Sequence, residues 1–222
     1  MKIVILGATG DTGKELVRLA LDSGHQVVAI VRNKSKITQK HANLQVEEAN
    51  LFSEESLIPH FTGSDAVLSC IGSYLGFANF FKVTLYSETG RPIISAMQKA
   101  CVQRFVCITS WCTKYNRNDP GPFVMEWIVF PLFRAILKDM ARLEDILLSE
   151  DSSDINFTIV RPPQLTNSPS KGQEILVEER QFVKGGCRST PRVDVAKFML
   201  SALSTDKYDR KAVAIDCAKL RG

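Results

Sequence analysis

The chain has 222 residues, of which 45% are hydrophobic, so it can bury a substantial core in one large or two small domains. Its net charge of +4, from 28 basic and 24 acidic residues, is too small to indicate a nucleic-acid surface. The six cysteines form no C-x-x-C pair, which favours reduced thiols over a disulfide framework.

We expect a cytoplasmic protein without a membrane partner. Met1 leads directly into an apolar strand, and no signal peptide stands before it. The most apolar later segment, residues 123–137, is interrupted by Glu126, Pro131 and Arg134, so it is too short and too broken to span a bilayer.

The first predicted strand runs into a glycine-rich turn and then into an amphipathic helix. Residues 3–6 form an apolar run typical of a strand buried on both faces. Three glycines follow at three-residue spacing, where they would allow a tight turn, close approach of a pyrophosphate and close helix–strand packing. A plain glycine turn is the alternative. The predicted cofactor-binding residues here are Gly7, Thr9, Gly10, Asp11, Thr12 and Gly13.

The second predicted strand, residues 26–31, ends at Arg32. This position lies 19 residues after Gly13, near where NAD-binding folds place an acid on the ribose hydroxyls. Here residues 32–36 carry three cations and no acid, and an arginine can bind a 2′-phosphate through two hydrogen bonds. Arg32 and Lys34 are therefore predicted to select NADPH, with a solvated basic loop as the alternative.

Apolar strands and helices continue to alternate along the chain. This pattern predicts an α/β fold, a Rossmann-like doubly wound parallel sheet with helices on both faces, in a single domain covering residues 1–222. Residues 161–210 are predicted to be mostly a substrate-side elaboration of that domain. The predicted strands are 44–47, 65–72, 104–108, 156–160, 174–177 and 212–216, and the predicted helices begin near 53, 87 and 191 or end near 148.

Ligands of such sheets bind outside the carboxyl ends of the strands. We therefore predict that cofactor-binding residues follow the later strands as well. The predicted cofactor-binding residues at those ends are Asn50, Leu51, Cys70, Ile71, Gly72, Thr109, Pro162, Pro163, Gln164 and Leu165. Ser110, Trp111 and Arg161 lie at the same strand ends.

The residues that several kinds of catalytic site require are absent from this edge of the predicted sheet. All three histidines precede residue 61 and none falls at a predicted strand end, so a Ser-His-Asp triad or a histidine-ligated metal site is excluded. No Walker-type G-K-[ST] follows the first strand, because Gly13-Lys14 is followed by Glu15. No tyrosine has a lysine four residues later, so the usual acid for carbonyl reduction is missing.

Hydride transfer needs no protein nucleophile, because a nicotinamide carries the chemistry. An electron-poor acceptor that takes its proton from water would suffice, and flavins and linear tetrapyrroles satisfy that description. The expected partner is thus a planar small molecule.

A series of short motifs runs over nearly the whole chain. Through these motifs the chain is similar to the atypical short-chain dehydrogenases that include biliverdin-IX-beta reductase, also called NADPH flavin reductase. The tail segment from Phe198 to Asp209 is the most specific part. The motifs are G-A-T-G-D-T-G at 7–13, Val31-Arg32, Asp65-Ala66-Val67 with Gly72, Thr109-Ser110, Val160-Arg161-Pro162-Pro163, and Asp194 with the tail segment.

The resemblance implies an NADPH-binding Rossmann sheet that reduces flavins, biliverdin isomers and similar acceptors. It matches Ser110 to the family's active-site serine and Pro162-Pro163 to the turn beside the nicotinamide. Trp111 and Arg188 are predicted to contact the substrate, and the apolar residues after Pro122 are a lid, ordinary core or a partner surface. We expect a monomer. The alternatives are a non-catalytic NADP(H)-sensing regulator of NmrA type and an NADPH reductase or isomerase of an unrelated small metabolite.

Overall fold

The computed structural model describes residues 1–72, 83–114 and 130–219. Ten strands and five α-helices lie in these ranges, with short 3-10 helices at Lys34–Lys36, Glu150–Ser152 and Ala202–Ser204. The strands are β1 (Lys2–Leu6), β2 (Gln26–Val31), β3 (Leu44–Glu48), β4 (Ala66–Ser69), β5 (Arg104–Ile108), β6 (Asn156–Arg161), β7 (Gln164–Thr166), β8 (Ile175–Glu178), β9 (Ser189–Pro191) and β10 (Lys211–Cys217). The helices are α1 (Asp11–Asp22), α2 (Glu54–Phe61), α3 (Leu85–Lys99), α4 (Phe130–Leu148) and α5 (Arg192–Ser201).

Eight strands form one sheet in the order β3-β2-β1-β4-β5-β6-β10-β8. All neighbours pair in parallel except β8, which runs antiparallel to β10 at one edge. The chain order reverses between β1 and β4, and such a reversal opens a crevice at the carboxyl ends of the two strands. The predicted doubly wound sheet is confirmed.

The two faces of the sheet bury two separate apolar clusters, because successive side chains of a strand point to opposite faces. Val4 and Leu6 of β1 pack in the cluster that α2, α3 and α4 cover. Ile3 and Ile5 pack in the cluster that α1 and α5 cover. Burial on both faces explains why the strands read as continuous apolar runs.

α3 and α4 are joined through a fully buried carboxylate. Asp139 of α4 accepts hydrogen bonds at Oδ2 from the backbone N–H of Tyr86, at 2.8 Å, and more weakly from that of Ser87, at 3.4 Å. Both donors lie in the first turn of α3, where N–H groups have no partner within the helix and a negative charge is favourable. Asp139 of α4 thereby fixes the start of α3.

The C-terminal part is divided between the main sheet and a small second one. β7 and β9 pair in parallel as a two-stranded sheet, which the sequence pattern did not predict. Helix α5, predicted as part of the elaboration, packs instead against α1 in the helix layer, because Val195, Phe198 and Met199 bury their side chains in the same cluster.

One predicted feature lies partly outside the described residues. Of the apolar stretch 123–137 with its predicted lid, residues 123–129 lie outside the described residues, and residues 130–137 begin α4. No helix in the described ranges has both the length and the apolar character needed to cross a membrane.

We expect Gly13→Ala to lower the free energy of unfolding by about 1–3 kcal/mol, the usual cost of overpacking. A methyl group on Gly13 would overlap the carbonyl oxygen of Gly7, and that backbone cannot move without separating α1 from β1. Gly10→Ala is the matched control, because its methyl would stay 3.4 Å from the same oxygen. Urea unfolding of both variants tests this, and equal losses would contradict it.

Candidate functional site

The glycine-rich loop lies at the crevice between β1 and β4. Gly7 has φ +75°, and a side chain there would come within 2.6 Å of the carbonyl oxygen of Cys70, at the end of β4. The N–H of Gly10 donates to the Gly7 carbonyl at 3.0 Å, and the Lys14 N–H donates to the Gly10 carbonyl at 2.9 Å. The loop is thus a tight turn that presses against the neighbouring strand before α1 begins.

The start of α1 offers backbone donors. The bond from Lys14 to Gly10 is the first of the helix, so the N–H groups of Asp11, Thr12 and Gly13 precede its hydrogen-bond ladder. No side chain of the N-cap residue can cover them, because that residue is Gly10. Free N–H groups at the positive end of a helix bind phosphate oxygens. The residues present therefore fit the diphosphate of a dinucleotide.

An arginine lies beside this helix start, and the sequence analysis did not single it out. Arg192 is the first residue of α5, and its Nε is 3.9 Å from Oδ2 of Asp11. Its Nη1 donates to Oδ1 of Asn167 at 2.7 Å. This arrangement depends on the packing of α1 against α5, which no local sequence pattern reports.

The two predicted cations after β2 differ in their surroundings. Arg32 is exposed, and its guanidinium has no hydrogen bond or ion pair with any described residue. Nζ of Lys34 lies 2.8 Å from Oε2 of Glu47, while its backbone N–H donates to Oε1 of Glu48 at 2.6 Å. The hydrogen bond from Lys34 lowers the pKa of the Glu47 carboxyl. Arg32 is therefore the cation that is available for an anionic ligand.

Asn50 and Leu51, at the end of β3, have local roles in the structure. Oδ1 of Asn50 accepts from the N–H of Phe52 at 3.1 Å, which is the hydrogen bond of an Asx turn. Leu51 packs against the apolar cluster under α2. The amide nitrogen and the second lone pair of the oxygen stay available for the predicted contact of Asn50 with a ligand.

Ser110 is half-buried in the turn after β5. Its carbonyl oxygen accepts from the Thr113 hydroxyl at 2.5 Å, and its own Oγ has no partner among the described residues. Two backbone hydrogen bonds fix this turn. The N–H of Trp111 donates to the Pro162 carbonyl and that of Cys112 donates to the Gln181 carbonyl, both at 3.0 Å. The structure thus brings a free hydroxyl to the carboxyl edge.

Trp111 lies in the core, which argues against its predicted contact with the substrate. The side chain is only 1% exposed, and its indole N–H donates to the carbonyl of Ile215 at 3.2 Å. Its ring meets that of Phe182 edge-on, with centroids 6.2 Å apart. The sequence alone does not show whether an aromatic residue that follows a strand points outward to a ligand or inward to the core.

A buried ion pair lies behind Ser110, and its acid was not predicted. Glu144 of α4 is fully buried and accepts from Nε and Nη2 of Arg161, at 3.0 and 2.6 Å. The buried hydroxyl of Thr109 donates to the same carboxylate at 2.9 Å, and Nη1 of Arg161 donates to the Arg180 carbonyl at 3.1 Å. The hydroxyl of Thr109, a predicted cofactor-binding residue, is therefore used in a buried hydrogen bond and does not donate to a cofactor.

The remaining predicted residues lie around the same edge with differing exposure. Cys70 and Ile71 are half-buried beside the loop and Gly72 is exposed. Pro162 and Pro163 are buried, Gln164 is exposed and Leu165 packs on the core. The side chain of Arg188 is exposed and its N–H donates to Oδ2 of the buried Asp216 at 2.7 Å.

Cys70 is the thiol next to the glycine loop. Burial raises its pKa to about 12, so the thiol stays protonated at neutral pH and is a poor nucleophile. Within the described ranges, no three His, Cys, Asp or Glu side chains gather closely enough to hold a metal ion. The arrangement supports binding and orientation of a cofactor that carries its own chemistry.

The comparisons with known sequences agree with this geometry. The sequence profile of the NAD(P)H-binding family matches residues 7–206. An uncharacterized chloroplastic protein of Arabidopsis thaliana is 30% identical, over 96% of this chain and 76% of its own length. An uncharacterized sugar epimerase of Bacillus subtilis is 27% identical over 96% and 92%. Divinyl chlorophyllide a 8-vinyl-reductase of A. thaliana is 26% identical over 90% of this chain but 49% of that protein.

Solved structures share the fold. A candidate NAD-dependent epimerase/dehydratase of Bacillus halodurans has a TM-score of 0.76 and 26% identity, over 99% of this chain and 95% of its own. A short-chain dehydrogenase/reductase of Veillonella parvula in complex with NADP has a TM-score of 0.77 and 19% identity, over 97% and 94%. A candidate NADH-flavin reductase of Streptococcus pneumoniae has a TM-score of 0.75 and 20% identity, over 98% and 99%.

We expect Glu144→Leu to lower the free energy of unfolding by about 3–5 kcal/mol, because it leaves the buried guanidinium of Arg161 unpaired. Arg18→Ala, which removes a surface arginine from its pairs with Glu15 and Asp22, should cost less than about 1 kcal/mol. Chemical denaturation measures both. A loss at Glu144 no larger than the loss at Arg18 would contradict the assigned role of the buried pair.

Proposed function

This chain belongs to the NAD(P)H-binding family, and we propose that it is an NADPH-dependent oxidoreductase that transfers hydride to a planar conjugated acceptor. A flavin such as FMN or riboflavin, or a biliverdin-type tetrapyrrole, fits that description. The observation that carries the proposal is the carboxyl edge of the sheet, where the glycine loop lies and where the hydroxyl of Ser110 has no hydrogen-bond partner among the described residues. The chain has no Tyr–Lys pair at the spacing used for carbonyl reduction.

In this proposal the chain binds the cofactor and orients the nicotinamide and the acceptor. The N–H groups of Asp11, Thr12 and Gly13 hold the diphosphate, and Arg32 holds the 2′-phosphate. Oγ of Ser110 positions the nicotinamide or the acceptor by a hydrogen bond, and it does not attack, because no histidine is available to activate it. When bound, NADPH supplies the hydride. The acceptor takes its proton from water.

Selection of NADPH rests mainly on Arg32, because the lysines of the basic loop, Lys34 and Lys36, are flexible and screened by solvent. Glu47 already binds the ammonium group of Lys34, so that charge is largely balanced. The guanidinium of Arg32 has no such partner among the described residues and can form two charge-assisted hydrogen bonds to a phosphate. No carboxylate replaces it at the end of β2 to bind a ribose diol.

The choice of acceptor is supported by two names among the similar proteins. One is a reductase of divinyl chlorophyllide a, and the other is a candidate flavin reductase. Both names refer to reductases whose acceptors contain a flat conjugated ring system. Other similar proteins carry epimerase names, which is why an isomerase or reductase of another small metabolite is kept as an outcome of the tests.

We expect the protein to bind NADPH about 10- to 100-fold more tightly than NADH, which corresponds to the 1.5–3 kcal/mol typical of a charged hydrogen bond. Arg32→Asp should abolish this preference by weakening NADPH binding, and NADH binding should change much less. Titration of each cofactor by fluorescence measures both affinities.

Lys34→Ala is the control for Arg32, because its ammonium group already pairs with Glu47 and should contribute little. Equal affinity of the unaltered protein for NADPH and NADH would show that the basic loop is only a solvated surface.

We expect the protein to oxidise NADPH when given FMN, riboflavin or biliverdin, and Ser110→Ala to slow hydride transfer by about 10- to 100-fold, the loss of one orienting hydrogen bond. Single-turnover absorbance changes measure the rate. Ser201→Ala, on α5, is the control. A covalent adduct on Ser110 would contradict the orienting role. Tight NADPH binding without turnover of any of these acceptors would favour the NADP(H)-sensing alternative, or an isomerase or reductase of another small metabolite.

A further inference from the structure

The start of α1, whose N–H groups fit a diphosphate, also carries a negative side chain that would repel this ligand. Asp11 is the first residue of α1, and its carboxylate lies in the same turn as the N–H groups that fit a diphosphate. A negative side chain stabilises a helix start for the same reason that a phosphate binds there. The carboxylate and the diphosphate therefore compete for one positive helix end, and they repel each other.

Arg192 is placed to offset that repulsion. Its Nε lies 3.9 Å from Oδ2 of Asp11, which is contact distance for an ion pair but longer than a hydrogen bond. The guanidinium is oriented from its other side, where Nη1 donates to Oδ1 of Asn167 at 2.7 Å. Only 24% of the arginine side chain is exposed, against 50% for Asp11, so the arginine is the better fixed of the two.

We infer that Arg192 belongs to the dinucleotide site, as a positioning residue that neutralises Asp11 and so lets a diphosphate approach the start of α1. This inference rests on the proposed dinucleotide-binding function. It adds a residue that the glycine-rich motif does not contain, contributed by α5 across the packed pair of helices. Because every nicotinamide dinucleotide carries the diphosphate, Arg192 should serve NADPH and NADH alike, whereas Arg32 separates them.

The first test is Arg192→Ala, with affinities for NADPH and NADH measured by fluorescence titration. We expect both to weaken by about threefold to thirtyfold, in the range of a charge acting at a helix terminus. The loss should shrink as salt is added, because the underlying repulsion is screened. Thermal unfolding checks that the variant is folded, and Arg18→Ala, an arginine paired with acids elsewhere on α1, should bind both cofactors normally.

The second test separates neutralisation of Asp11 from a direct bond to the phosphate. Asp11→Asn removes the repelling charge, so Arg192→Ala added to it should weaken binding by no more than about twofold. A loss in the double variant as large as in Arg192→Ala alone would overturn the inference. So would a loss confined to NADPH, or no loss for either cofactor.

These results are distinguishable from failure of the proposed function. If the unaltered protein binds neither NADPH nor NADH, the dinucleotide site itself is refuted and the inference falls with it. If the unaltered protein binds both and Arg192→Ala binds them equally well, only the inference is refuted.

Discussion

The site depends on a contact between backbones at the crevice of the sheet. Gly7 touches the end of β4, and Gly13 touches Gly7, so strand, turn and helix approach one another with no side chains between them. This closeness brings the start of α1, with its unpaired N–H groups, to the carboxyl edge where the other strands end. Every residue assigned to the cofactor is placed relative to that contact.

Behind the edge, the interior is fixed by buried charge as well as by apolar packing. Glu144 joins α4 to β6 through Arg161 and to the end of β5 through Thr109. Asp139, on the same helix, fixes the start of α3. Two acids in one largely apolar helix therefore orient three neighbouring elements. A buried pair of this kind adds directional hydrogen bonds, which an apolar contact does not.

The sequence predicts what depends on near neighbours along the chain. Apolar runs and the glycine spacing were sufficient for the parallel sheet and for the loop at Gly7, since burial on two faces and a tight turn leave local patterns. Arg192 and Glu144 were missed because their partners lie on elements distant in sequence. Trp111 shows the same limit, as its inward direction depends on Phe182 and Ile215.

The position of Glu48, which accepts from the backbone N–H of Lys34, also affects how one molecule meets another. β3 is the outermost strand at its end of the sheet, and an outer strand presents unpaired backbone groups that can recruit a strand from a second chain. Here Glu47 and Glu48 point to opposite faces of that strand, and Glu47 is already paired with Lys34, whereas the exposed Glu48 has no ion pair with any described residue. A second copy that aligned its own β3 alongside in the same register would bring the Glu48 carboxylates of the two chains together. This charge discourages edge-to-edge aggregation of the folded chains.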